Sequence, residues 1–214
     1  MDNKKLIPIG ILFKKSYEFY KINFYKILLL ALIPFAIFSI YSFLDANDPM
    51  AGISNFFAVY SMIFFLLYLI VTFLTRVNFF YLIKNPTLDI KSLMSVSWKN
   101  IASFARVSFL VGIICVGWFV LLVIPGIIFT VWFSLSLYVF VFEGKGGMSA
   151  LYRSKDLVSG YWWPVFLRML IFGIISSIIG WFPVIGSVVG IFFLIPVGVI
   201  YSYYIYDDLR MIKA

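Results

Sequence analysis

The sequence predicts an all-α, polytopic membrane protein in which six transmembrane helices form three hairpins. Two observations carry this prediction: the chain contains apolar stretches long enough to cross a bilayer, and all 17 Lys and Arg residues lie on one side of them. Apolar residues make up 64% of the chain and charged residues 12%, whereas about a quarter of a soluble domain is charged. We expect one six-span domain over residues 1–214, with spans at about 27–44, 53–74, 107–123, 127–142, 165–181 and 188–206.

The distribution of positive charge predicts the topology. Lys and Arg fall in four groups, within residues 4–26, 76–106, 145–168 and 210–213, and the turns at the far ends of the hairpins hold none. Cytoplasmic loops of membrane proteins collect Lys and Arg, so we expect a cytoplasmic-membrane protein with both termini in the cytoplasm. The net charge of +8 then follows from topology, and we expect no nucleic-acid partner.

The first predicted hairpin ends at a chain break. An outer turn at residues 45–52 separates spans one and two, and Arg76 with Asn78 marks the inner boundary of span two. The sequence Asn85-Pro86-Thr87 then predicts a break, because the residue before a proline disfavours helix. Thr87 is of a type that caps the start of the next helix.

The second and third hairpins are predicted from their turns. Residues 107–142 form one apolar run of 36 residues, too long for a single crossing, so Ile124-Pro125-Gly126 is interpreted as the turn. The third hairpin turns at residues 183–186, and Gly186-x-x-x-Gly190 fits close helix packing. Pro34 and Pro196 lie inside spans one and six, where each removes a helical hydrogen bond and predicts a kink.

A polar segment precedes each hairpin, at residues 11–26, 88–106 and 149–161. Apolar and charged residues alternate at helical spacing in all three, which favours amphipathic helices lying in the membrane interface. Alignment on Ser16, Ser95 and Ser154 suggests three copies of one unit made of an interfacial helix, a span, a turn and a span. The alternative is that any membrane hairpin has amphipathic flanks.

The residue types argue against an enzyme. The chain has no histidine, which removes histidine-based acid–base catalysis and histidine metal ligands. Its one cysteine, Cys115, lies in mid-span and is interpreted as a small apolar residue. Asp207 and Asp208 are adjacent, but on a helix their side chains diverge by about 100°, so we expect them to pair with a basic interfacial helix. We therefore predict no catalytic residue, no metal site and no cofactor.

Candidate lipid- or partner-binding residues lie at the inner ends of the spans and on the polar segments. Polar and ionisable residues near spans are the first place to look for function. Arg168 lies about four residues into span five, where it can either extend to the lipid headgroups or pair with Glu143. The full set of candidates is Lys14, Lys15, Lys91, Lys99, Glu143, Arg153, Lys155, Asp156, Arg168, Asp207, Asp208 and Arg210.

Several of these segments resemble a known family. Residues 122–128, Glu143-Gly144, the run from Ala150 to Leu157, residues 160–163 and the closing segment 206–210 are similar to the second half of the glycerophosphoryl diester phosphodiesterase membrane domain and its YciC-like six-span relatives. The resemblance covers about residues 88–210 and implies a fold. It implies no activity, because catalysis in those phosphodiesterases belongs to a separate soluble barrel that has no counterpart in this sequence.

Two functional hypotheses remain open, and a third is weaker. The first is a non-enzymatic integral membrane protein that interacts with membrane lipids, anionic ones included, or serves as a scaffold or assembly subunit with a membrane-protein partner or a second copy. The alternative is a transporter or channel for a small or lipidic solute, with Pro34 and Pro196 bending spans around a cavity. An intramembrane enzyme would need Glu143, Asp156 or the Asp207/Asp208 pair to converge. The hydroxyl residues that the spans offer to an interior are Ser39, Ser61, Thr72, Thr75, Thr130, Ser134, Ser136, Ser176 and Ser177.

Overall fold

The computed structural model describes residues 6–46 and 55–213, and every regular element in these ranges is helical. The elements are α1 (Ile9–Ile22), α2 (Phe24–Ala46), α3 (Asn55–Lys84), α4 (Ile90–Leu121), α5 (Val123–Phe133), α6 (Ser136–Tyr138) with a π-helical turn (Val139–Glu143), α7 (Met148–Val158), α8 (Trp162–Gly180), α9 (Pro183–Val189) with a second π-helical turn (Gly190–Leu194), and α10 (Ile195–Ile212).

Six helical stretches among the described residues are long and apolar enough to cross a membrane. They are Phe24–Leu44, Ser61–Lys84, Ile90–Val120, Val123–Glu143, Trp162–Gly180 and Gly186–Ile212. The predicted all-α, polytopic fold is therefore confirmed. Most of the predicted first outer turn, residues 45–52, lies outside the described residues.

The second hairpin differs in detail from the prediction. The chain breaks after Lys84, as Asn85-Pro86-Thr87 predicted, but the cap of the next helix is Asp89 and not Thr87. The Asp89 carboxylate accepts a hydrogen bond of 3.4 Å from the Ser92 N–H, and hydrogen bonding by Ser92 lowers the pKa of Asp89. The predicted second interfacial segment, residues 88–106, is not a separate helix. It forms the first half of the continuous helix α4, because no proline interrupts it.

The two remaining turns are displaced by a few residues from their predicted positions. The chain turns at Leu122, whose extended backbone separates α4 from α5, and again after Gly180, just before Pro183 opens α9. Proline fits the first turn of a helix, where its missing N–H has no partner to lose. A Cβ atom on Gly186 would lie 2.7 Å from the Ile179 carbonyl oxygen, so glycine is needed where α9 folds back on α8.

Pro34 and Pro196 are accommodated differently. Pro34 lies inside the continuous helix α2, whereas Pro196 opens α10 directly after a π-helical turn. Because Pro196 has no N–H, the carbonyl of Phe192, four residues earlier, has no α-helical donor. The Tyr20 hydroxyl from α1 donates to this carbonyl at 3.1 Å. Burial raises the pKa of Tyr20, which keeps the phenol protonated as a donor.

The densest packing lies at one end of the bundle. In α3, most side chains from Met62 to Ile70 are exposed, whereas all seven from Val77 to Ile83 are buried. Helices α1 and α7 cover this part of the core with buried Leu12 and Leu151. The interfacial helices predicted before hairpins one and three are therefore integral parts of the packed core.

Hydrogen bonds between distant segments bring the four Lys and Arg groups together at this end, which we call the basic end. The Lys26 ammonium bonds the carbonyls of Pro86 (2.6 Å) and Leu88 (2.7 Å), and Lys84 bonds the Val141 carbonyl. Lys213 bonds the Ser159 carbonyl at 2.6 Å. The four groups of Lys and Arg that are separated in sequence thus lie at one end of the folded bundle.

Candidate functional site

The predicted lysines lie on the outside of the basic end. Lys14 and Lys15 are exposed on α1, and Lys91 and Lys99 are exposed on the first half of α4. Lys15 lies over the ring of Tyr204, 5.8 Å from its centroid. None of the four forms an ion pair within the described ranges, so their charges face the surroundings.

Glu143 is the centre of a polar cluster. Its carboxylate lies 3.3 Å from Arg153 Nε and 3.2 Å from Lys145 Nζ, and it accepts a hydrogen bond of 3.2 Å from the Tyr206 hydroxyl. Gly144, with φ of +72°, allows the chain to turn back so that Lys145 reaches Glu143. The cluster joins α7 and α10 to the end of span four. Glu143 does not pair with Arg168, so that predicted alternative is wrong.

Arg168 instead holds the segment that precedes α1. Its guanidinium donates to the carbonyls of Ile7 (2.7 Å) and Pro164 (2.9 Å). The Ile7 N–H donates to the Asp208 carboxylate at 2.7 Å, and the Tyr201 hydroxyl donates to the Arg168 carbonyl at 3.1 Å. These contacts join the amino-terminal segment, α8 and α10, and they give Arg168 a structural role.

The remaining predicted residues are distributed over the same surface. Asp207 is half-buried and interacts electrostatically with Arg210 and Lys15. Neither Asp207 nor Asp208 forms an ion pair within the described residues. Asp156 is exposed, and its backbone carbonyl accepts from Lys213. Lys155 lies 4.7 Å from the centroid of the Trp132 ring. The described residues contain no cluster of three or more metal-ligating side chains.

Ser154 has a contact that the sequence analysis missed. Ser154 served to align the three polar segments, but it is fully buried in α7. Its hydroxyl donates to the Trp132 carbonyl at 2.6 Å and accepts from the Leu135 N–H at 3.2 Å. Ser154 therefore satisfies the backbone where α5 ends and α6 begins. Ser16 is also buried and Ser95 is exposed, so the three aligned serines do not share one environment.

The sequence analysis also missed a cavity between spans two, four, five and six. Its volume is about 660 Å³. Hydroxyl groups and one arginine interrupt otherwise apolar walls. The lining residues are Arg76, Phe80, Thr130, Ser134, Leu137, Tyr138, Met169, Phe172, Ser176, Leu194, Ile195, Gly198, Val199, Tyr201 and Ser202.

Arg76 is the one charged side chain among the described residues that line this cavity. It was interpreted as the inner boundary of span two, but α3 continues to Lys84. At 1.5 Å per residue, Arg76 lies about 12 Å along the helix from Lys84. The run from Val77 to Ile83, which is apolar except for Asn78, was the signal that the helix continues past Arg76.

A second cavity lies at the basic end beside Arg106. It has a volume of about 610 Å³ and is lined by Ser103, Arg106, Phe109, Leu110, Phe140 and the glycines at 144, 146 and 147. It shares Arg106 and Phe109 with an apolar groove of about 1030 Å³ that follows α4 towards Gly117. The Arg106 guanidinium, the glycine backbone and the apolar groove therefore lie next to one another along one face.

The arrangement offers binding groups and a polar cavity. The predicted acids do not converge: Glu143 lies in its own cluster, Asp156 faces outward, and Asp207 and Asp208 contact different groups. Ammonium, guanidinium and hydroxyl groups instead provide donors suited to anions. In comparisons with known proteins, no protein-family model, curated protein or solved structure matches this chain.

Proposed function

We propose that this integral membrane protein is non-enzymatic and binds anionic lipid at its basic end, which faces the cytoplasm from the cytoplasmic membrane. The observation that carries the proposal is the excess of exposed cations without acidic partners. Within the described ranges, ion pairs form only at Glu143. The exposed lysines at positions 14, 91 and 99 therefore remain available to phosphate groups of lipids, and Lys15 adds a charge that interacts with Asp207 without forming an ion pair.

The electrostatics of a membrane surface support this proposal. Anionic lipids give the cytoplasmic leaflet a negative potential, and each nearby Lys or Arg contributes about 1 kcal/mol of attraction. Exposed Trp98 on α4 and Trp163 on α8 lie close in sequence to the basic groups. Tryptophan favours the headgroup region of a bilayer, so the aromatic and basic residues favour the same depth.

The cavity beside Arg106 gives the proposal a defined lipid site. The guanidinium donates to the Ser103 hydroxyl at 2.9 Å and has no acidic partner in the described part of the chain. Gly144 and Gly147 both have positive φ, at +72° and +58°. A phosphate placed here would contact Arg106 and the glycine backbone, while an acyl chain would follow the adjoining groove along α4.

Native mass spectrometry with phosphatidylglycerol, cardiolipin and phosphatidylcholine tests the surface. The double variants K14Q/K15Q and K91Q/K99Q should each lower the affinity for the anionic lipids by on the order of tenfold. The variant K14R/K15R is the matched control because it keeps both charges, and it should bind as wild type does. Arg153 is a poor choice for this test, since its loss would also disturb Glu143.

Equal retention of phosphatidylglycerol by both glutamine variants would contradict the lipid surface. An equal preference for phosphatidylcholine would do the same, because that lipid carries no net charge. A loss confined to Arg106→Gln would restrict the proposal to the cavity beside α4.

A transporter or channel is the second candidate, and the cavity around Arg76 favours it. Thr130, Ser134 and Ser176 are among the hydroxyl residues that the sequence offered to a shared interior, and all three line this cavity. Flux of anionic solutes into liposomes containing the purified protein tests the candidate. Absence of flux at every solute tried would leave the cavity as a binding site.

The remaining sequence-based expectations stand as proposals. The similarity of residues 88–210 to the glycerophosphoryl diester phosphodiesterase membrane domain and its YciC-like relatives supports a shared six-span fold and contributes no activity. The three-unit repeat stays a prediction: α1 and α7 are separate helices before hairpins one and three, whereas the segment before hairpin two is the first half of α4. A membrane-protein partner or a second copy also remains a proposal, and cross-linking in membranes tests it.

A further inference from the structure

The cavity among spans two, four, five and six combines one positive charge with a mixed lining. Arg76 supplies the charge, and the described part of the chain provides it with no ion pair and no hydrogen bond. We propose that this cavity binds a single anionic group, a phosphate or a carboxylate, attached to an apolar chain. The site is separate from the exposed lysines of the basic end, and it gives the transporter candidate a class of ligand.

An unpartnered arginine within a span points to an anion. A charged side chain within a span is a functional-site hypothesis by default, and the Arg76 side chain is exposed, so that a ligand can reach it. No carboxylate lines the cavity in the described residues. Guanidinium donates in a planar fork that matches a carboxylate or a phosphate. An anion carried into the cavity would supply the missing acceptor.

Hydroxyl groups around Arg76 can complete the recognition of an oxyanion. The Tyr138 hydroxyl donates to the Val199 carbonyl at 2.8 Å and interacts with the Ser202 hydroxyl. The Ser176 hydroxyl is buried and has no hydrogen-bond partner among the described residues. Buried polar groups are nearly always hydrogen-bonded, so Ser176 provides a second, independent indication that the cavity accepts a polar group.

The apolar part of the lining indicates that the anion carries an apolar chain. Met169, Phe172 and Leu194 line the cavity together with Leu137 and Ile195. A volume of about 660 Å³ lies within the range of about 300–1,000 Å³ that is usual for small-ligand sites. An inorganic anion would leave most of these apolar walls without contacts.

Photolabelling of the full-length protein in phosphatidylcholine nanodiscs tests the proposal. A photoactivatable fatty acid should label peptides that contain Phe172 and Leu194, as mapped by mass spectrometry. Decanoate and decyl phosphate should compete for this labelling, whereas decanol, which has the same chain without the charge, should not. Arg76→Gln should lower the labelling by the probe by on the order of tenfold, because the probe is also a carboxylate and loses a charge-assisted hydrogen bond.

Arg106→Gln is the matched control, because it removes the same group from the cavity beside α4 and should leave labelling of Phe172 and Leu194 unchanged. Arg76→Lys keeps the charge and should retain part of the affinity, which separates recognition of the anion from a folding defect. Competition by inorganic phosphate as strong as that by decyl phosphate would support the anion site but contradict the requirement for an apolar chain. Equal competition by decanol, or full labelling of a folded Arg76→Gln variant, would overturn the proposal.

This test also distinguishes the two sites. Loss of lipid binding in K14Q/K15Q with intact labelling at Phe172 would support the surface and the cavity independently. Intact surface binding with no labelling would leave the basic end unaffected and reject the cavity site.

Discussion

Arg168 and Arg76 are both arginines within spans, yet their surroundings differ. Arg168 donates to the carbonyls of Ile7 and Pro164, and the Asp208 carboxylate lies on the other side of Ile7. Arg76 has no such contacts and lines a cavity. The comparison separates an arginine that holds the fold together from one that is left for a ligand. The number of satisfied donors distinguishes them, whereas the residue type and the position within a span do not.

The same contrast applies to the regions that surround the two residues. Around Arg168, three segments distant in sequence meet through backbone hydrogen bonds, and Phe13, Phe172 and Tyr201 pack their rings together beside it. Phe172 and Tyr201 also line the cavity that contains Arg76, so the two regions are neighbours. Around Arg76, side-chain hydroxyls and apolar groups surround an open volume. Removing a group from the first region should therefore cost stability, and removing one from the second should cost binding.

Arg168→Gln is expected to have the largest effect on stability. The variant loses charge-assisted hydrogen bonds to two carbonyls, each contributing about 1.5–3 kcal/mol, so we expect a loss of about 3 kcal/mol in the free energy of unfolding. Unfolding in mixed micelles titrated with a denaturing detergent measures it. Arg168→Lys is the control: it keeps the charge without the planar fork and should lose about half as much. A free energy of unfolding of Arg168→Gln equal to that of the wild type would contradict the structural role of Arg168.

Tyr20→Phe should have the next largest effect. The phenol donates to the Phe192 carbonyl, which Pro196 leaves without an α-helical donor. Loss of this hydroxyl leaves a carbonyl unsatisfied inside the protein, which costs about 2 kcal/mol. The same unfolding titration measures the loss. Tyr17→Phe is the matched control, because Tyr17 is exposed on the same helix and should change stability little. Equal effects of the two variants would show that the contact to the π-helical turn contributes nothing.

Asp208→Asn should destabilise the protein by about 1 kcal/mol. The amide oxygen of asparagine can still accept from the Ile7 N–H, but the hydrogen bond loses its charge, and a neutral hydrogen bond is weaker by roughly this amount. Hydrogen exchange at the Ile7 amide, followed by mass spectrometry, should speed up relative to wild type. Asp207→Asn serves as a control, since Asp207 interacts with Arg210 and Lys15 and not with Ile7. Unchanged exchange in Asp208→Asn would contradict the contact.

These two regions also show what the sequence could predict. The length of the apolar stretches and the one-sided distribution of Lys and Arg were sufficient to predict six spans and a basic end. Both patterns arise because apolar side chains favour lipid and charged side chains favour water. The turns near Pro125 and Pro183 were displaced because proline marks the first turn of a helix as readily as a loop. The hydrogen bonds between Arg168 and Ile7 connect segments 161 residues apart, and no local pattern encodes such a pair. Span two was predicted to end near Arg76 because a positive charge usually ends a span, whereas helix α3 continues to Lys84.

Arg76→Gln should have the smallest effect on stability and the largest effect on binding. Since Arg76 makes no hydrogen bond or ion pair in the described part of the chain, its removal breaks no contact, and we expect the free energy of unfolding to change by less than about 0.5 kcal/mol. The variant should nevertheless lose labelling by the probe in the photolabelling assay. When the two variants are compared, Arg168→Gln should lower the stability and Arg76→Gln should lower the binding. A loss of stability in Arg76→Gln close to that of Arg168→Gln would place both residues in the framework of the fold. The difference between the two regions would then be one of packing and not of function.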